Sequence, residues 1–309
     1  MHVYRSISEF RADKKTVLTL GTFDGVHTGH RKIIERLIAD ARAKGAESLI
    51  LTFYPHPRFV VGGHADFHLL NTQEEKIGLL EETGLDHLII HPFDSNFSQL
   101  SAADFVKSVL VDQLNVGKII IGHDHRFGKG RTAGIHDLID FGKIHHFDVE
   151  QIGPQEVDAV SVSSTKIRKA LEAGDIATAN AYLGYPYLLS GTVVEGQKLG
   201  RTIGFPTANL AIPEAEKLIP RDGVYVVRCD LDGQTVFGMM NIGFRPTVNG
   251  QDRSIEVHFL DTDANLYGKS ISLNVLHRLR DEQKFPSVDV LKSQLLADLD
   301  ATRSFIKSV

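Results

Sequence analysis

The hydrophobic pattern changes near residue 185, and this change constrains the fold more than any other feature of the sequence. From Thr16 to about Gly184, short apolar runs alternate with segments whose apolar residues recur every three or four positions. This alternation predicts strands and helices in turn, and so an α/β domain with a mostly parallel sheet. Beyond residue 185 apolar residues recur at every second position, which predicts an antiparallel sheet or small closed barrel. We therefore expect one domain over residues 1–184 and a β-barrel domain with a terminal helix over residues 185–309.

The composition is that of a globular protein and argues against several classes of function. Of the 309 residues, 42% are hydrophobic and 24% are charged, and this length exceeds one ordinary core. The net charge of −5 provides no general attraction to nucleic acid or to an anionic membrane. No apolar run approaches membrane-spanning length, and the N-terminal residues lack the apolar core of a signal peptide. Cys229 is the only cysteine and lies in a strand pattern, so we expect it to be a core thiol. Taken together, these features predict a cytoplasmic protein that binds neither nucleic acid nor membranes.

Four apolar runs in the first half predict buried strands: Thr16–Leu20, Ser48–Phe53, Leu88–Ile90 and Lys118–Gly122. Helices are predicted to begin at a capping box, Thr72–Glu75, and at Ser101. In a parallel sheet, ligands bind beyond the carboxyl ends of the strands. Polar and aromatic groups follow three of these strands, in the segments Gly21–His30, Tyr54–Pro57 and His123–Gly128. Their shared position predicts a site at this edge of the sheet.

The segment Gly21–His30 is the strongest candidate in this half. It joins the first predicted strand to Arg31–Lys44, whose apolar residues recur at helical spacing. The free amide groups and positive dipole end of a helix start attract phosphate. His27 and His30 could both donate hydrogen bonds to one phosphate chain. A bare H-x-x-H is more often a pair of solvated histidines, but the preceding strand and following helix favour a phosphate site.

A second helix start carries an unusual pair of cations. Hydroxyl residues at 163–165 precede helical spacing at Ile167, and Ser163 or Ser164 is expected to cap this helix. Lys166 and Arg168 lie in its first turn, where the helix dipole favours acids instead. Cations beside free amides suggest a second phosphate-binding helix start, although an ordinary cap would have the same hydroxyl residues.

The segment Gly191–Leu210 is rich in glycine and lies at the start of the second half. Spaced glycines let backbone amides approach phosphate oxygens, but the segment does not match the P-loop motif, and a barrel corner would also be glycine-rich. Thr207 and Asn209, two apart on a predicted strand, point to one face. Their oxygens are hard ligands suited to Mg²⁺ beside a nucleotide. Alone, this pair would more often be polar decoration of a strand.

Alternation in the run Ile255–Leu260 places Glu256 and His258 on the face opposite the apolar residues. A carboxylate there could act as a base on a hydroxyl group, which contributes roughly 10²–10⁴-fold in rate. It could equally belong to the solvent face of a barrel strand, and the pattern alone does not choose between these interpretations.

In chain order, these segments resemble the prokaryotic bifunctional riboflavin kinase/FMN adenylyltransferase family, the FAD synthetases. The first half carries G-T-F-D-G-V-H-x-G-H at 21–30, T-F-x-P-H-P at 52–57 and S-S-T-x-I-R at 163–168. The second half carries G-R-x-x-G-F-P-T-A-N-L at 200–210, G-V-Y at 223–225, N-I-G-x-R-P-T-V at 241–248, and E-x-H before L-Y-G-K at 266–269. His125 differs from the aromatic residue that this family often has. The resemblance covers nearly the whole chain.

The resemblance implies two reactions that use ATP and Mg²⁺. The barrel domain would transfer the γ-phosphate of ATP to the 5′-hydroxyl of riboflavin, giving FMN. The first domain, a Rossmann-like nucleotidyltransferase, would transfer AMP from a second ATP to FMN, giving FAD and pyrophosphate. The small molecules riboflavin, FMN and ATP are thus the expected partners.

The resemblance also implies roles for individual residues. In the first domain, His27 and His30 would stabilise charge during adenylyl transfer. ATP would contact Gly21, Phe23, Asp24, His27, His30, Ser163, Ser164, Thr165 and Arg168. FMN would contact Tyr54, Pro55, His56, Asp124 and Phe127. In the barrel domain, Glu256 would be the general base and Thr207 and Asn209 would bind Mg²⁺. ATP and flavin there would contact Gly196, Gly200, Arg201, Gly204, Phe205, Pro206, Thr207 and Asn209.

Two other functions fit parts of the sequence. A cytidylyl or pantetheine adenylyl transferase with an unrelated barrel would share the H-x-G-H element, but it would not carry the motifs of the second half. A flavin-binding sensor without catalysis would not need His27, His30, Thr207, Asn209 and Glu256 together. CTP dependence would support the first alternative, and flavin binding without ATP consumption would support the second.

Overall fold

The structure is a computed structural model that describes residues 1–62, 67–122, 125–153, 162–196, 199–247, 250–262 and 264–308. The chain forms two compact units, which are described separately. The first unit contains Met1–His68 and Lys76–Ser163, and the second contains Leu69–Glu75 and Ser164–Val309.

Strands and helices alternate in the first part of the chain, as the hydrophobic pattern predicts. The strands are β1 (His2–Tyr4), β2 (Thr16–Leu20), β3 (Glu47–Tyr54), β4 (His87–Pro92), β5 (Val116–Gly122) and β6 (Asp148–Ile152). The helices are α1 (Thr28–Lys44), α2 (Pro57–Val61), α3 (Gln73–Glu81), α4 (Ser95–Ser98), α5 (Ala102–Asp104), a π-helix (Phe105–Gln113) and α6 (Ile135–His145). Short 3₁₀ turns lie at Ile7–Glu9 and Lys129–Arg131.

Six strands of the first unit form one parallel sheet in the order β1-β4-β3-β2-β5-β6. All five residues of β2, including Thr16 and Thr19, are buried, as expected for a central parallel strand that is covered on both faces. The helix α1 buries Ile34, Leu37 and Ile38 on one face, as the spacing predicts. The four predicted strands are confirmed, and β1 and β6 add a strand at each edge.

The remaining elements belong to the second unit and are mostly strands. The helices are α7 (Ser164–Ala173), α8 (Ile176–Leu183), α9 (Leu199–Thr202) and α10 (Val288–Ile306). The strands are β7 (Tyr187–Val194), β8 (Ala208–Ala211), β9 (Gly223–Leu231), β10 (Gln234–Thr247), β11 (Gly250–Phe259) and β12 (Ser270–Arg280).

These six strands close into an antiparallel barrel in the order β10-β11-β8-β7-β12-β9, with β9 also paired to β10. Asp-Gly and Asn-Gly pairs between period-2 runs predict hairpin turns at Asp232-Gly233 and Asn249-Gly250. The first of these turns joins β9 to β10, and both of its residues have positive φ angles (53° and 84°). Asn249 lies outside the described residues. Cys229 is fully buried on β9, which confirms the predicted core thiol.

The two helices before the barrel group with it and not with the parallel sheet. Asn180 of α8 accepts a hydrogen bond from the backbone of Tyr187 (2.8 Å) and donates one to the carbonyl of Val275 (2.9 Å). The boundary between the compact units therefore lies at Ser163/Ser164, some twenty residues before the predicted division at residue 184. As a division between two activities, residue 184 stays a prediction.

The terminal helix α10 begins after Ser287, whose hydroxyl accepts from the amide of Val290. Its Asp298 is buried and pairs with Arg280 of β12 through contacts of 2.7–3.2 Å. Gln294 donates a further hydrogen bond to Asp298 at 2.9 Å. A buried carboxylate thus fixes the helix to the end of a barrel strand.

A short segment of the first half of the sequence, Leu69–Glu75, belongs to the second unit. Leu69 forms a parallel bridge with Lys217. The amide of Leu69 donates to the carbonyl of Glu216 (2.7 Å), and the amide of Leu218 donates to the carbonyl of Leu69 (2.8 Å). The backbone of this segment is therefore paired as a short additional strand.

A fully buried ion pair holds the same segment. The Nζ atom of Lys217 lies 2.5 Å from a carboxylate oxygen of Glu75 and 2.7 Å from the carbonyl of Leu70. Glu75 also accepts from the amide of Ser190 (2.9 Å) and forms the predicted capping box with Thr72 (3.0 and 3.1 Å). Every hydrogen bond here satisfies a buried polar group.

None of the helices described in the structure is both long and apolar enough to span a membrane.

Candidate active sites

In the first unit, the predicted segments follow neighbouring parallel strands. Gly21–His30 follows β2, Tyr54–Pro57 follows β3, and residues 125–128 follow β5. Since β3, β2 and β5 are adjacent in the sheet, their carboxyl ends lie side by side. The expected common edge is therefore present, while Asp124 lies outside the described residues.

The segment between β2 and α1 is an unusual turn. Phe23, Gly25 and Val26 have φ angles of 47°, 89° and 34°, in the left-handed region. For Phe23 and Val26 this conformation costs about 1–3 kcal/mol each unless the surroundings enforce it. Both side chains are buried, at 3% and 0% exposure, so packing provides that enforcement. Asp24 is also buried, at 1%.

His27 caps the helix that follows. Its Nδ1 atom accepts a hydrogen bond from the amide of His30 at 3.3 Å, so a neutral His27 carries its proton on Nε2. The rings of His27 and His30 are stacked, with centroids 3.7 Å apart and an angle of 15° between planes. The helix therefore begins at Thr28, three residues before the predicted segment Arg31–Lys44.

His30 is held in its neutral form. Burial, then the neighbouring charges of His27 and Lys76, lower the pKa of His30 well below the ordinary value of 6.5. Its Nδ1 atom is buried and has no hydrogen-bond partner among the described residues. A buried, unsatisfied nitrogen in a partly buried ring is a group for which a phosphate oxygen would supply the missing partner.

Lys76 of α3 is a residue that the sequence patterns did not single out. It is 5% exposed, and its Nζ atom donates to the carbonyl of Thr22 at 3.0 Å. Burial lowers the pKa of Lys76, and the charge of Asp24 acts in the opposite direction. A buried cation thus lies beside the turn that carries the two histidines. Nothing in its local sequence distinguishes it from an ordinary helical lysine.

The helix start at Ser164 belongs to the second unit, whereas Ser163 belongs to the first. Ile167 is buried, Thr165 and Lys166 are exposed, and Arg168 is half-buried. The helix α7 is confirmed at the predicted place. Phosphate binding by Ser163, Ser164, Thr165 and Arg168 stays a prediction.

The residues expected to contact FMN differ in their surroundings. Tyr54 is 47% exposed, and the peptide bond between Tyr54 and Pro55 is cis. His56 caps α2 by accepting from the amide of Arg58 at 3.1 Å, and its ring lies 4.8 Å from that of Phe67. Phe127 is 6% exposed and packs in the hydrophobic core of the first unit.

In the second unit, the barrel brings Thr207, Asn209 and Glu256 together. Asn209 on β8 is directly opposite Glu256 on β11. Thr207, which precedes β8, donates to a carboxylate oxygen of Glu256 at 3.1 Å. Residues Ile255, Val257 and Phe259 are buried, so Glu256 and His258 face outward, as the alternation predicts.

His258 and Phe205 support the residues beside this group. The Nδ1 atom of His258 donates to the carbonyl of Pro206 at 2.8 Å, since a carbonyl can only accept. The rings of His258 and Phe205 meet at 5.2 Å in an edge-to-face arrangement. Thr207 is therefore preceded by two residues that His258 contacts.

Two glycines let the backbone approach this site closely. A Cβ atom on Gly196 would lie 2.1 Å from the Asn209 amide nitrogen, and one on Gly200 would lie 2.2 Å from the carbonyl of Phe205. Gly204 has a φ of 87°, a conformation that favours glycine. A cavity of 570 Å³ is lined by Arg201, Pro206 and Thr207 together with Val257 and Phe259, which lie on the face of β11 opposite Glu256.

The donor set of this site suits a hard cation. Among the residues that the structure describes, no group of three or more His, Cys, Asp or Glu side chains could hold a metal ion. Thr207, Asn209 and Glu256 instead offer a hydroxyl, an amide and a carboxylate oxygen, the ligand types that Mg²⁺ prefers beside phosphates. The residues therefore fit Mg²⁺ held jointly with a nucleotide.

Comparison with known proteins identifies the family. Residues 9–166 match the family model of FAD synthetase, and residues 183–306 match that of riboflavin kinase. The chain is 38% identical over 290 residues to the bifunctional riboflavin kinase/FMN adenylyltransferase of Escherichia coli K12, covering 94% of this chain and 92% of that protein. The chain belongs to the bifunctional riboflavin kinase/FMN adenylyltransferase family.

Other members of this family match to a similar extent. The proteins of the same name from Pseudomonas fluorescens and Bacillus subtilis are each 36% identical, over 98% and 96% of this chain and 97% and 94% of their own lengths. A crystal structure described as a macrolide-efflux protein from Streptococcus pneumoniae has a TM-score of 0.88 at 30% identity and covers 98% of both chains. The histidine turn lies within the FAD synthetase match, and Thr207, Asn209 and Glu256 lie within the riboflavin kinase match.

Proposed function

We propose that this protein makes FAD from riboflavin in two steps, each in one half of the chain. In the second half, the γ-phosphate of ATP passes to the 5′-hydroxyl of riboflavin, giving FMN and ADP. In the first half, AMP passes from a second ATP to FMN, giving FAD and pyrophosphate. Support comes from the two family matches and from the chemistry of the two sites. A cytoplasmic location is part of this proposal.

The Thr207–Glu256 contact carries the proposal for the kinase reaction. A hydroxyl must lose a proton when it attacks phosphorus, and a carboxylate beside a phosphate site can accept that proton. Glu256 has this place, because Thr207 fixes one of its oxygens at 3.1 Å. After phosphoryl transfer the proton remains on Glu256 until solvent removes it.

The glycines and polar side chains around Glu256 would hold the nucleotide. Gly196 and Gly200 let the backbone pass close to Asn209 and Phe205, and Arg201 at the cavity would provide a positive charge for phosphate. Thr207 and Asn209 would hold Mg²⁺, which when bound neutralises phosphate charge. The cavity of 570 Å³ that Arg201, Pro206 and Thr207 help to line is large enough for a drug-sized ligand and would take one of the two substrates.

The adenylyl transfer needs a different set of groups. The attacking atom is a phosphate oxygen of FMN that is already ionised, so this step does not require a strong base. It needs donors that stabilise charge on the α-phosphate and on the departing pyrophosphate. His27, through Nε2, His30, and the start of α1 supply such donors. The neutral state of His30 in the free protein leaves it able to take up a proton when phosphate arrives.

The remaining assignments are proposals of the same kind. We assign ATP contacts in the first half also to Gly21, Phe23 and Asp24, and to the hydroxyl and arginine residues Ser163, Ser164, Thr165 and Arg168. We assign FMN contacts to the segments at Tyr54–His56 and at Asp124–Phe127. In the second half, Gly204, Phe205 and Pro206 complete the nucleotide and flavin contacts.

One incubation tests both reactions. Riboflavin with Mg-ATP should yield FMN, FAD, ADP and pyrophosphate, resolved by chromatography. His30→Ala should reduce FAD formation from FMN by about 10²-fold while FMN formation continues, since one stabilising donor is lost. Glu256→Gln should have the reverse effect, losing about 10²–10⁴-fold in FMN formation.

The alternative functions make opposite predictions. Equal loss of both activities in either variant would refute the assignment of one reaction to each half. Turnover of CTP without flavin would indicate another nucleotidyltransferase, and tight flavin binding without ATP consumption would indicate a sensor.

A further inference from the structure

The turn that carries His27 and His30 needs support that its own sequence does not provide. Two non-glycine residues, Phe23 and Val26, have left-handed backbone conformations on either side of Gly25. Glycine would adopt these angles freely, whereas a phenylalanine and a valine adopt them only where neighbouring atoms enforce them. The structure that holds this turn therefore also sets the positions of the two rings.

The carbonyl of Thr22, at the beginning of the turn, is fixed by two donors. The Nζ atom of Lys76 donates to it at 3.0 Å, and the hydroxyl of Thr52 donates to it at 3.2 Å. Lys76 lies 54 residues away in the sequence. Thr52 is on β3, which pairs with β2, whereas Lys76 comes from the helix α3. The turn is thus joined to two other elements of the first unit at one atom.

The Lys76 contact brings a charge as well as a hydrogen bond. Lys76 is 5% exposed, and a buried ammonium group persists only where other groups compensate its loss of hydration. The carboxylate of Asp24, 1% exposed and inside the turn itself, acts on Lys76 as the opposite charge. The same ammonium acts on His30 as a like charge. Lys76 therefore interacts with the first, middle and last parts of the segment Thr22–His30.

We propose that Lys76 is a positioning residue for adenylyl transfer, which holds the Thr22–Gly25 turn through the Thr22 carbonyl and Asp24 and keeps His27 and His30 oriented toward the phosphates. Lys76 acts through the turn because it is almost fully buried. This inference rests on the proposed function of the first half. A misplacement of reacting groups by about 1 Å costs about 10²-fold in rate, which sets the scale of the expected effect.

The test compares Lys76→Met and Lys76→Gln in the full chain. Lys76→Met removes the charge and the donor, and should lower kcat for FAD formation from FMN and ATP by at least about tenfold. Its KM for ATP should change much less, since Lys76 is 5% exposed and acts through the turn. Lys76→Gln keeps a donor without the charge and should recover part of this loss. FMN formation from riboflavin measures the other half of the same chain and should be unaffected.

The titration of His30 separates an electrostatic role from a general loss of structure. Within the described part of the chain, His27 and Lys76 act on His30 as charged groups, and Lys76 lowers its pKa. Lys76→Met should therefore raise the pKa of His30, measured by NMR from the ring C–H signals. Thr52→Val removes the other hydrogen bond to Thr22 without removing a charge, and should leave this pKa where it is. Lys143→Met, which breaks an exposed pair with Asp140, is the control for loss of a lysine.

The outcomes are distinct. A folded Lys76→Met protein with wild-type kcat for FAD formation overturns the proposal, as does an unchanged His30 titration. If Lys76→Met does not fold, Lys76→Gln decides in the same way. If the wild-type protein forms no FAD, the proposed function fails, and the His30 titration then tests the positioning role by itself.

Discussion

Replacement of Glu75 by glutamine should destabilise the second unit strongly, because it leaves a buried lysine without its counter-charge. The side chains of Glu75 and Lys217 are 2% and 0% exposed, and their charged atoms are 2.5 Å apart. In Glu75→Gln, Lys217 loses its counter-charge and keeps the carbonyl of Leu70 at 2.7 Å and the ring of Tyr187 at 4.4 Å. Breaking a buried pair from one side costs about 3–5 kcal/mol. For a unit of about 150 residues, this corresponds to a fall of about 6–20 °C in Tm.

The reverse replacement should cost less. In Lys217→Met, the carboxylate of Glu75 keeps its hydrogen bonds from the amides of Thr72 and Ser190. The remaining carboxylate then keeps two backbone donors, whereas the ammonium in Glu75→Gln keeps the carbonyl of Leu70 and the weaker contact with the ring of Tyr187. The double variant carries no unpaired charge. Its loss of unfolding free energy should therefore be smaller than the sum of the two single losses by about 2 kcal/mol or more.

Hydrogen exchange followed by mass spectrometry measures these effects within the second unit, on peptides from β7 and β9. Lys269→Met breaks an exposed pair with Asp232 on the same unit and should change the protection of these peptides little, which makes it the matched control. The reasoning is refuted if Glu75→Gln lowers the opening free energy by less than about 1 kcal/mol, or if the two single effects simply add.

Three further predictions concern the sites themselves. Gly196→Ala places a Cβ atom 2.1 Å from the Asn209 amide, so FMN formation should fall by about tenfold or more while FAD formation from added FMN continues. The free energy of unfolding of the first unit should fall as the pH drops below 6.5, because in this range His30 takes up a proton in the unfolded chain and not in the folded one. Denaturant unfolding of His30→Gln should show a weaker dependence of that free energy on pH. His258→Leu loses the hydrogen bond to Pro206 and should slow FMN formation, whereas His258→Asn can keep it and should be more active; equal rates for the two variants would count against this role.

The sequence predicted the central strands of the first unit because buried parallel strands are continuous apolar runs. β1, with three residues at one edge, and β6, with the sequence Asp-Val-Glu-Gln-Ile at the other, lack such a run. Edge strands face less of the core, so their composition does not separate them from loops. Hydrogen bonding to β4 and β5 makes them strands, and this long-range pairing leaves no local signal.

The site residues likewise divide into those with a local sequence signal and those without one. Although their roles stay predictions, the turn at His27 could be predicted from its own segment, and Glu256 from the family resemblance. Lys76 and Lys217 could not, since their partners lie 54 and 142 residues away. In both cases a lysine in a polar segment is buried, which propensity and periodicity do not predict. The assignment of Leu69–Glu75 to the second unit likewise depends on the backbone pairing of Leu69.

The stacking of His27 on His30 limits how binding at this turn can depend on acidity. With ring centroids 3.7 Å apart, the two imidazoles cannot both be protonated without strong repulsion. A phosphate that binds here can therefore draw at most one proton from solution into the pair. As the pH rises, the contribution of these two residues should lower the logarithm of the ATP association constant by at most one unit per pH unit. Calorimetry in buffers of different ionisation enthalpy counts that proton directly.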